Sequence, residues 1–255
     1  ATKRMERAVA GSAREEPGVI AMKLTAAGRV MLSASDLTAA SACEWAFVRK
    51  LEFVLGIGAQ PPTTEDPMLT ITAELGLAHE QRVLHQLKDS HGDVAEIPDP
   101  TEGDGDYLQR LHHSHEETLK ALHARRKVIF QAAFCTEDFQ GFADFLIWQD
   151  EGYYQVVDTK LARSAKVTAL LQLAAYAEQL RLLDIPVGPQ VSLWLGDGTE
   201  SVHQLADIES VFALRMATLR SLVEERQVAA REGRGPASWR DDQYSYCATC
   251  EACET

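Results

Sequence analysis

The sequence predicts an α/β fold, a core sheet with helices added around it. Three observations carry that expectation. Apolar residues recur at helical spacing through the first half of the chain. Near residue 128 the period changes, and three strand-like runs follow one another, joined by the turn-forming stretches "EDFQ" and "DEG". An amphipathic helix, two more strand-like runs and a last long helix complete the pattern.

The elements follow in order. Residues 1–30 open with "ATKRMERAVAGSAREEPG", which mixes both charges and has no apolar h-region, so a mobile tail is expected rather than a secretory signal. Ser35 or Asp36 is expected to cap one helix over "LTAASACEWAFVRKLEFVLG", ended by Gly56 and Gly58. "AQPPTTEDP" breaks the chain with three prolines, and a second helix runs over about 66–89. "GDVAEI" reads as a short strand, "PDPTEGDGD" as a loop, and 106–126 as a third helix. "VIFQAAFCT", "GFADFLIWQ" and "YYQVVDTK" are the meander; "KVTALLQLAAYAEQLRLL" is helical; "VGPQVSLWLGD" and "SVHQLA" are strands; 207–231 is the last helix. The chain is thereby divided into a tail at 1–30, a main domain at 31–233 (helical to 127, sheet and helices from 128) and a cysteine-bearing segment at 234–255. No internal repeat and no low-complexity tract is visible.

Composition bounds the function. At 255 residues the chain can bury a substantial core. No apolar run is long enough to span a bilayer, so no membrane partner and a cytoplasmic location are expected. The net charge of −13 argues against a general nucleic-acid coat protein but leaves room for an enzyme with a local basic groove.

In "VVDTK" the alternation of a strand points Asp158 and Lys160 to one face and Val157 and Thr159 to the other. A hairpin turning near Asp150–Gly152 sets Asp144, in "GFADFL", close to opposite Asp158, at about 5 Å. Two facing carboxylates repel unless a hard cation such as Mg²⁺ or Mn²⁺ lies between them, and Lys160 would then stand beside the ion. The bland alternative is a modest surface ion pair. His79 sits mid-helix in "GLAHEQRVL", one turn after Gly76, and a lone helical histidine is more often a surface or core residue than a ligand. Glu80 lies about 100° further round that helix and need not share its role. Gln172 and Tyr176 are four apart on one helical face. Arg125, Arg126 and Lys127 form the best local basic patch for a DNA backbone, or simply a solvated helix end.

"GLAHE", "GFADF", "VVDTK" and "QLAAY", in that order, resemble the RecB-like branch of the PD-(D/E)XK nuclease superfamily over roughly residues 31–255. The resemblance implies a mixed central sheet flanked by helices. It also implies roles: His79, Asp144, Asp158 and the Thr159 carbonyl as metal ligands, and Lys160 as the catalytic lysine beside Asp144 and Asp158. Gln172 and Tyr176 would belong to a helix that contacts DNA.

Cys247, Cys250 and Cys253 form C-x₂-C-x₂-C, a spacing that supplies three ligands to one 4Fe–4S cluster while a fourth arrives from far away. Cys43 could be that fourth ligand. Zn²⁺ suits four thiolates equally, and a loose cysteine-rich tail is the plain alternative. Cys135 reads as a core residue. The arrangement of one cysteine before the core and three after it is similar to the iron–sulfur members of the RecB-like family, including the AddB nuclease domain and the nucleases of CRISPR spacer acquisition. The family's last interval is commonly longer than two residues, which sets Cys253 apart.

The combined expectation is a divalent-metal-dependent DNA nuclease, an exonuclease on single strands or free ends in repair or recombination. Any helicase partner would be another chain, because no G-x-x-x-x-G-K-[ST] signature is present. The alternative is a non-catalytic nucleic-acid-binding or scaffold module; a small redox protein ranks behind both.

Overall fold

The structure, a computed structural model, describes residues 22–25, 27–62 and 67–254, apart from the side chains of residues 69 and 254. Most of the expected tail, residues 1–21, lies outside the described residues. From Met22 the chain is already anchored. Lys23–Leu24 (β1) pairs antiparallel with Val30–Met31 (β2), and Met22, Val30 and Met31 are buried. Three apolar side chains that reach the core hold this stretch down, so the expectation of a tail up to residue 30 fails here.

The first helix is two helices. Ala34–Ala42 (α1) and Glu44–Val54 (α2) flank Cys43, which is extended at φ −161° and ψ 109°. The cap of α1 is Ser33, not Ser35 or Asp36. Its hydroxyl accepts from the Asp36 amide while the Asp36 carboxylate accepts from the Ser33 amide, a reciprocal box. Cys43 interrupts the helix because it caps α2 in turn, with the Ala46 amide donating to Sγ at 3.5 Å.

Pro67–His91 (α3), Val94–Glu96 (β3) and Tyr107–His123 (α4) come next, with Asp106 capping α4 through the Gln109 amide at 3.0 Å. The meander is Val128–Cys135 (β4), Gln140–Trp148 (β5) and Tyr154–Lys160 (β6). Val167–Leu182 (α5), Val187–Leu195 (β7), Glu200–Gln204 (β8), Leu205–Arg231 (α6) and Glu251–Glu254 (α7) complete the chain.

One six-stranded sheet runs in the order β3-β4-β5-β6-β7-β8. It is mixed: β3 with β4 and β6 with β7 are parallel, the other pairs antiparallel. A parallel neighbour cannot be reached by a tight turn, and α5 is the crossover that brings the chain back beside β6. Strand alternation sorts the core. Phe145, Ile147 and Val157 meet Val83, Leu84 and Leu87 of α3 on one face. Leu146, Val156 and Leu193 lie in the larger core with α1, α2, α5 and α6 on the other. Because β3 covers only the first three residues of β4, α4 satisfies the exposed edge: Thr118 Oγ1 accepts from the Ala133 amide at 2.9 Å, and His115 Nδ1 lies 3.1 Å from the Ala133 carbonyl. Among the described residues no helix is long and apolar enough to cross a membrane.

A buried ion pair fastens the chain's far end to this core. Glu52 of α2 is fully buried, and its Oε1 accepts from Arg226 Nη1 of α6 at 2.9 Å and from the Ala237 amide at 2.5 Å. Arg226→Met removes one of the acid's two cations, Arg49 Nη1 remaining 3.1 Å from Glu52 Oε2, and loss of a hydrogen bond to a buried charge costs about 1.5–3 kcal/mol. Urea denaturation is expected to show a loss of that order, and a loss below about 1 kcal/mol would mean the pair is dispensable.

Candidate active site

The site forms where two strands part. β5 and β6 pair from Trp148↔Tyr154 to Phe145↔Val157 and then stop, whereas β6 stays with β7 as far as Lys160↔Leu195. The register expected from the hairpin holds to that point, and its next step sets Asp144 across from Asp158. On the other flank, the β4–β5 ladder skips from Phe130↔Phe145 to Ala132↔Ala143. The skipped residue, Gln131, has φ +53°, a left-handed backbone uncommon outside glycine. Asp144 therefore lies where both neighbouring strands release β5.

Side chains fill the gap. Asp144 Oδ2 accepts from the Thr159 amide and from Thr159 Oγ1, both at 2.9 Å, replacing the sheet bond the amide has lost. Lys160 Nζ stands 2.7 Å from Asp158 Oδ2, on the face that alternation assigned to both. That oxygen is buried, and the lysine ammonium is the counter-charge that reaches it. Burial first, and then the charge of Asp144, raise the Asp158 carboxyl well above the usual carboxylate range. Glu80 of α3 joins the group: burial, then Asp144, push it up to about 7, and its Oε1 accepts from Gln131 Nε2 at 2.5 Å. Burial draws the Lys160 pKa down, but the charges of Asp158 and Asp144 outweigh it and keep the ammonium protonated. Three buried or half-buried carboxylates thus share one lysine. Carboxylate oxygens of this kind are the ligands a hard divalent cation such as Mg²⁺ or Mn²⁺ takes, although among the described residues the three acids do not draw together to the spacing around one ion.

Other expected residues are placed differently. His79 is buried, but its Nε2 is 3.3 Å from the Trp194 carbonyl rather than among the acids. It lines a neighbouring depression of about 340 Å³ with Arg82 and Thr199. To join the carboxylates its ring must leave that carbonyl, a contact at the long end of the hydrogen-bond range. Gln172 borders a cleft of about 260 Å³ with Lys160, Lys166, Thr38 and Thr72. Tyr176 is buried, stacked on Phe134 and edge-on to Phe139, which corrects the picture of a ring free to meet DNA. Its pKa is raised by burial first and then by the charges of Asp144 and Asp158. Gly141 makes room there, since a Cβ would stand 3.0 Å from the tyrosine ring and press on it.

The basic trio is neither free nor adjacent. Arg126 pairs with Asp93 at 2.5 Å, Lys127 with Asp150 at 3.1 Å, and Arg125 lies over the Trp148 ring at 5.3 Å. Trp148 is four residues up β5 from Asp144, about 13 Å. Sequence reasoning missed Glu80 and Gln131. The signal for Gln131 was present, a single polar residue inside the apolar run "VIFQAAFC".

Far along the chain, Cys43, Cys247, Cys250 and Cys253 converge, with all four sulfurs within 4.8 Å of one another. The Thr249 amide, then Cys250, hold the Cys247 thiol down at about 6, whereas burial pushes Cys250 up to about 12. Such a group could bind a metal.

A family model described as the PD-(D/E)XK nuclease superfamily matches residues 31–254. No curated protein matches the chain. A crystal structure from Eubacterium rectale, of a protein provisionally described as an exonuclease, is similar over 88% of this chain and 87% of its own at 10% identity, with a TM-score of 0.38.

Crowded acids cost stability until a cation relieves them. In metal-free buffer Asp158→Asn is expected to stabilise the chain by about 0.5–2 kcal/mol. Mg²⁺ or Mn²⁺ should raise the melting temperature of the unaltered protein more than that of the variant. Thermal scans with and without the ion check this, and equal shifts in both proteins would contradict the assignment.

Proposed function

The chain belongs to the PD-(D/E)XK nuclease superfamily, and from that premise we propose that it is a divalent-metal-dependent DNA nuclease acting on single strands with free ends. The observation that carries the reading is the buried Asp158 carboxylate, set against the charge of Asp144 and countered by Lys160 Nζ at 2.7 Å. Asp144, Asp158 and the Thr159 carbonyl are the residues proposed to hold the cation, with Glu80 as the third acid around it. When bound, such an ion supplies a nucleophile at neutral pH and neutralises charge on the phosphate.

The chain's own groups do the rest. Thr159 fixes the Asp144 carboxylate through two hydrogen bonds, which leaves its other oxygen to face the gap. Lys160, protonated and only partly covered, faces the cleft and offsets charge on the scissile phosphate. Gln172 and Lys166 border the same cleft and are placed to hold the strand beside the bond that breaks. A cleft of about 260 Å³ has room for one nucleotide unit beside Lys160, which favours an unpaired strand in this reading. Processing of DNA ends in repair or recombination is the setting this reading fits.

The test is a cleavage assay with labelled single-stranded DNA and Mn²⁺, using 5′-blocked, 3′-blocked and circular substrates. Cleavage of the linear strand, its loss with chelator and resistance of the circle are expected. Lys160→Ala should cut the rate about 10²–10³-fold, and Glu80→Gln, acting around the ion, about 10–100-fold. No cleavage at all, or cleavage undiminished in Asp158→Ala, would sink the proposal.

A further inference from the structure

We propose that the four-cysteine site holds a single tetrahedral zinc ion rather than an iron–sulfur cube. The inference is independent of the nuclease reading, and the sulfur positions carry it. Cys43 Sγ lies 3.5 Å from Cys253 Sγ and 3.8 Å from Cys250 Sγ, and no two of the four sulfurs are more than 4.8 Å apart. A tetrahedron with zinc–sulfur arms of about 2.3 Å has edges of about 3.8 Å. A cube gives each cysteine its own iron at a separate corner, which spreads the sulfurs well beyond the spacing around one ion.

The backbone is fitted to the narrow spacing. The Cys250 amide donates to Cys247 Sγ at 3.3 Å and the Ala46 amide to Cys43 Sγ at 3.5 Å, orienting two sulfurs from outside. The Cys253 amide closes a tight turn on the Cys250 carbonyl at 2.8 Å, which keeps the third tail sulfur close to the second. Opening the site is resisted on both sides. Trp45 Nε1 donates to the Ala252 carbonyl at 2.9 Å, the Trp45 amide to the Ser245 carbonyl at 3.2 Å, and the Ser245 amide to Glu44 Oε2 at 2.8 Å. These bonds tie the tail to α2 ahead of Cys247 and again between Cys250 and Cys253. Four thiolates saturate zinc, so the ion has no open position and its role is structural. Each thiol that ligates gives its proton to solvent.

The full chain, purified anaerobically from cells supplied with both iron and zinc, tests this by elemental analysis, acid-labile sulfide and absorption. About one zinc per chain in colourless protein is expected. About four irons with labile sulfide and a visible absorption band would overturn the proposal. If the protein emerges without metal, Co²⁺ titration decides. Saturation at one equivalent with the intense visible bands of a tetrahedral thiolate site supports it; any other stoichiometry, or no such bands, overturns it. Cys250→Ser should lose the stoichiometric ion and Cys135→Ser should retain it. Chelation should alter tryptophan fluorescence, because Trp45 and Trp239 pack 5.4 Å apart against the tail. Retention of the ion by Cys250→Ser would remove that cysteine from the ligand set and with it the proposed tetrahedron.

Discussion

Like charges buried at the end of two parting strands govern the arrangement of this chain. A continuous β5–β6 ladder would spend the Thr159 amide on the sheet and leave Asp144 to solvent or to an ordinary cross-strand contact. Because pairing stops after Phe145↔Val157, that amide turns to the Asp144 carboxylate instead. Strand separation and acid convergence are therefore one event. The left-handed Gln131 does the same on the other flank, and its side chain reaches Glu80. Strain of about 1–3 kcal/mol at such a residue persists only where the surroundings enforce it. Here the surroundings are the α3 core against Phe130 and Phe145 on one side and Tyr176 wedged over Gly141 on the other.

Electrostatics sharpens the point. The chain carries a net charge of −13, and several of its cations are already engaged by nearby acids. Arg126 and Lys127 are held by Asp93 and Asp150, and Arg226 is buried against Glu52. Under the proposed function, the cations that border the cleft are Lys160 and Lys166. Over a Debye length of about 8 Å the rest of the surface is screened, so the short-range charge balance inside the cleft matters more than the overall sign.

What the sequence disclosed, and what it did not, divides along the same physical line. Strand period fixed the common face of Asp158 and Lys160, and a short hairpin fixed the register that sets Asp144 across from Asp158; both are local rules. The break at Cys43 was hidden, because an extended residue inside a helical pattern is dictated by sulfurs more than two hundred positions away. Glu80 was passed over because its part depends on which strand α3 covers, a tertiary fact. The neutralisation of Arg126 by Asp93 is likewise a contact across 33 positions, invisible in a run that reads as a basic patch. The helix of Gln172 and Tyr176 was legible as a motif. That it turns Tyr176 inward and Gln172 to the cleft is set by packing.

The two sites are not mechanically separate. Cys43 ends α1 and starts α2, so the sulfur group fixes the angle at which α1 leaves the joint. α1 lies against α5, and its Thr38 lines the cleft opposite Lys160 and Gln172. From the other end, Glu52 and Trp45 tie the segment after α6 to α2 through buried or aromatic contacts. A side chain that positions a strand of nucleic acid must be held to within about 0.5 Å, and helices do this better than loops. The cleft wall here is a helix whose own footing is a joint closed by four sulfurs. The distant cysteines therefore bear on the acids not by chemistry but by bracing the wall against which, under the proposed function, a strand would be aligned.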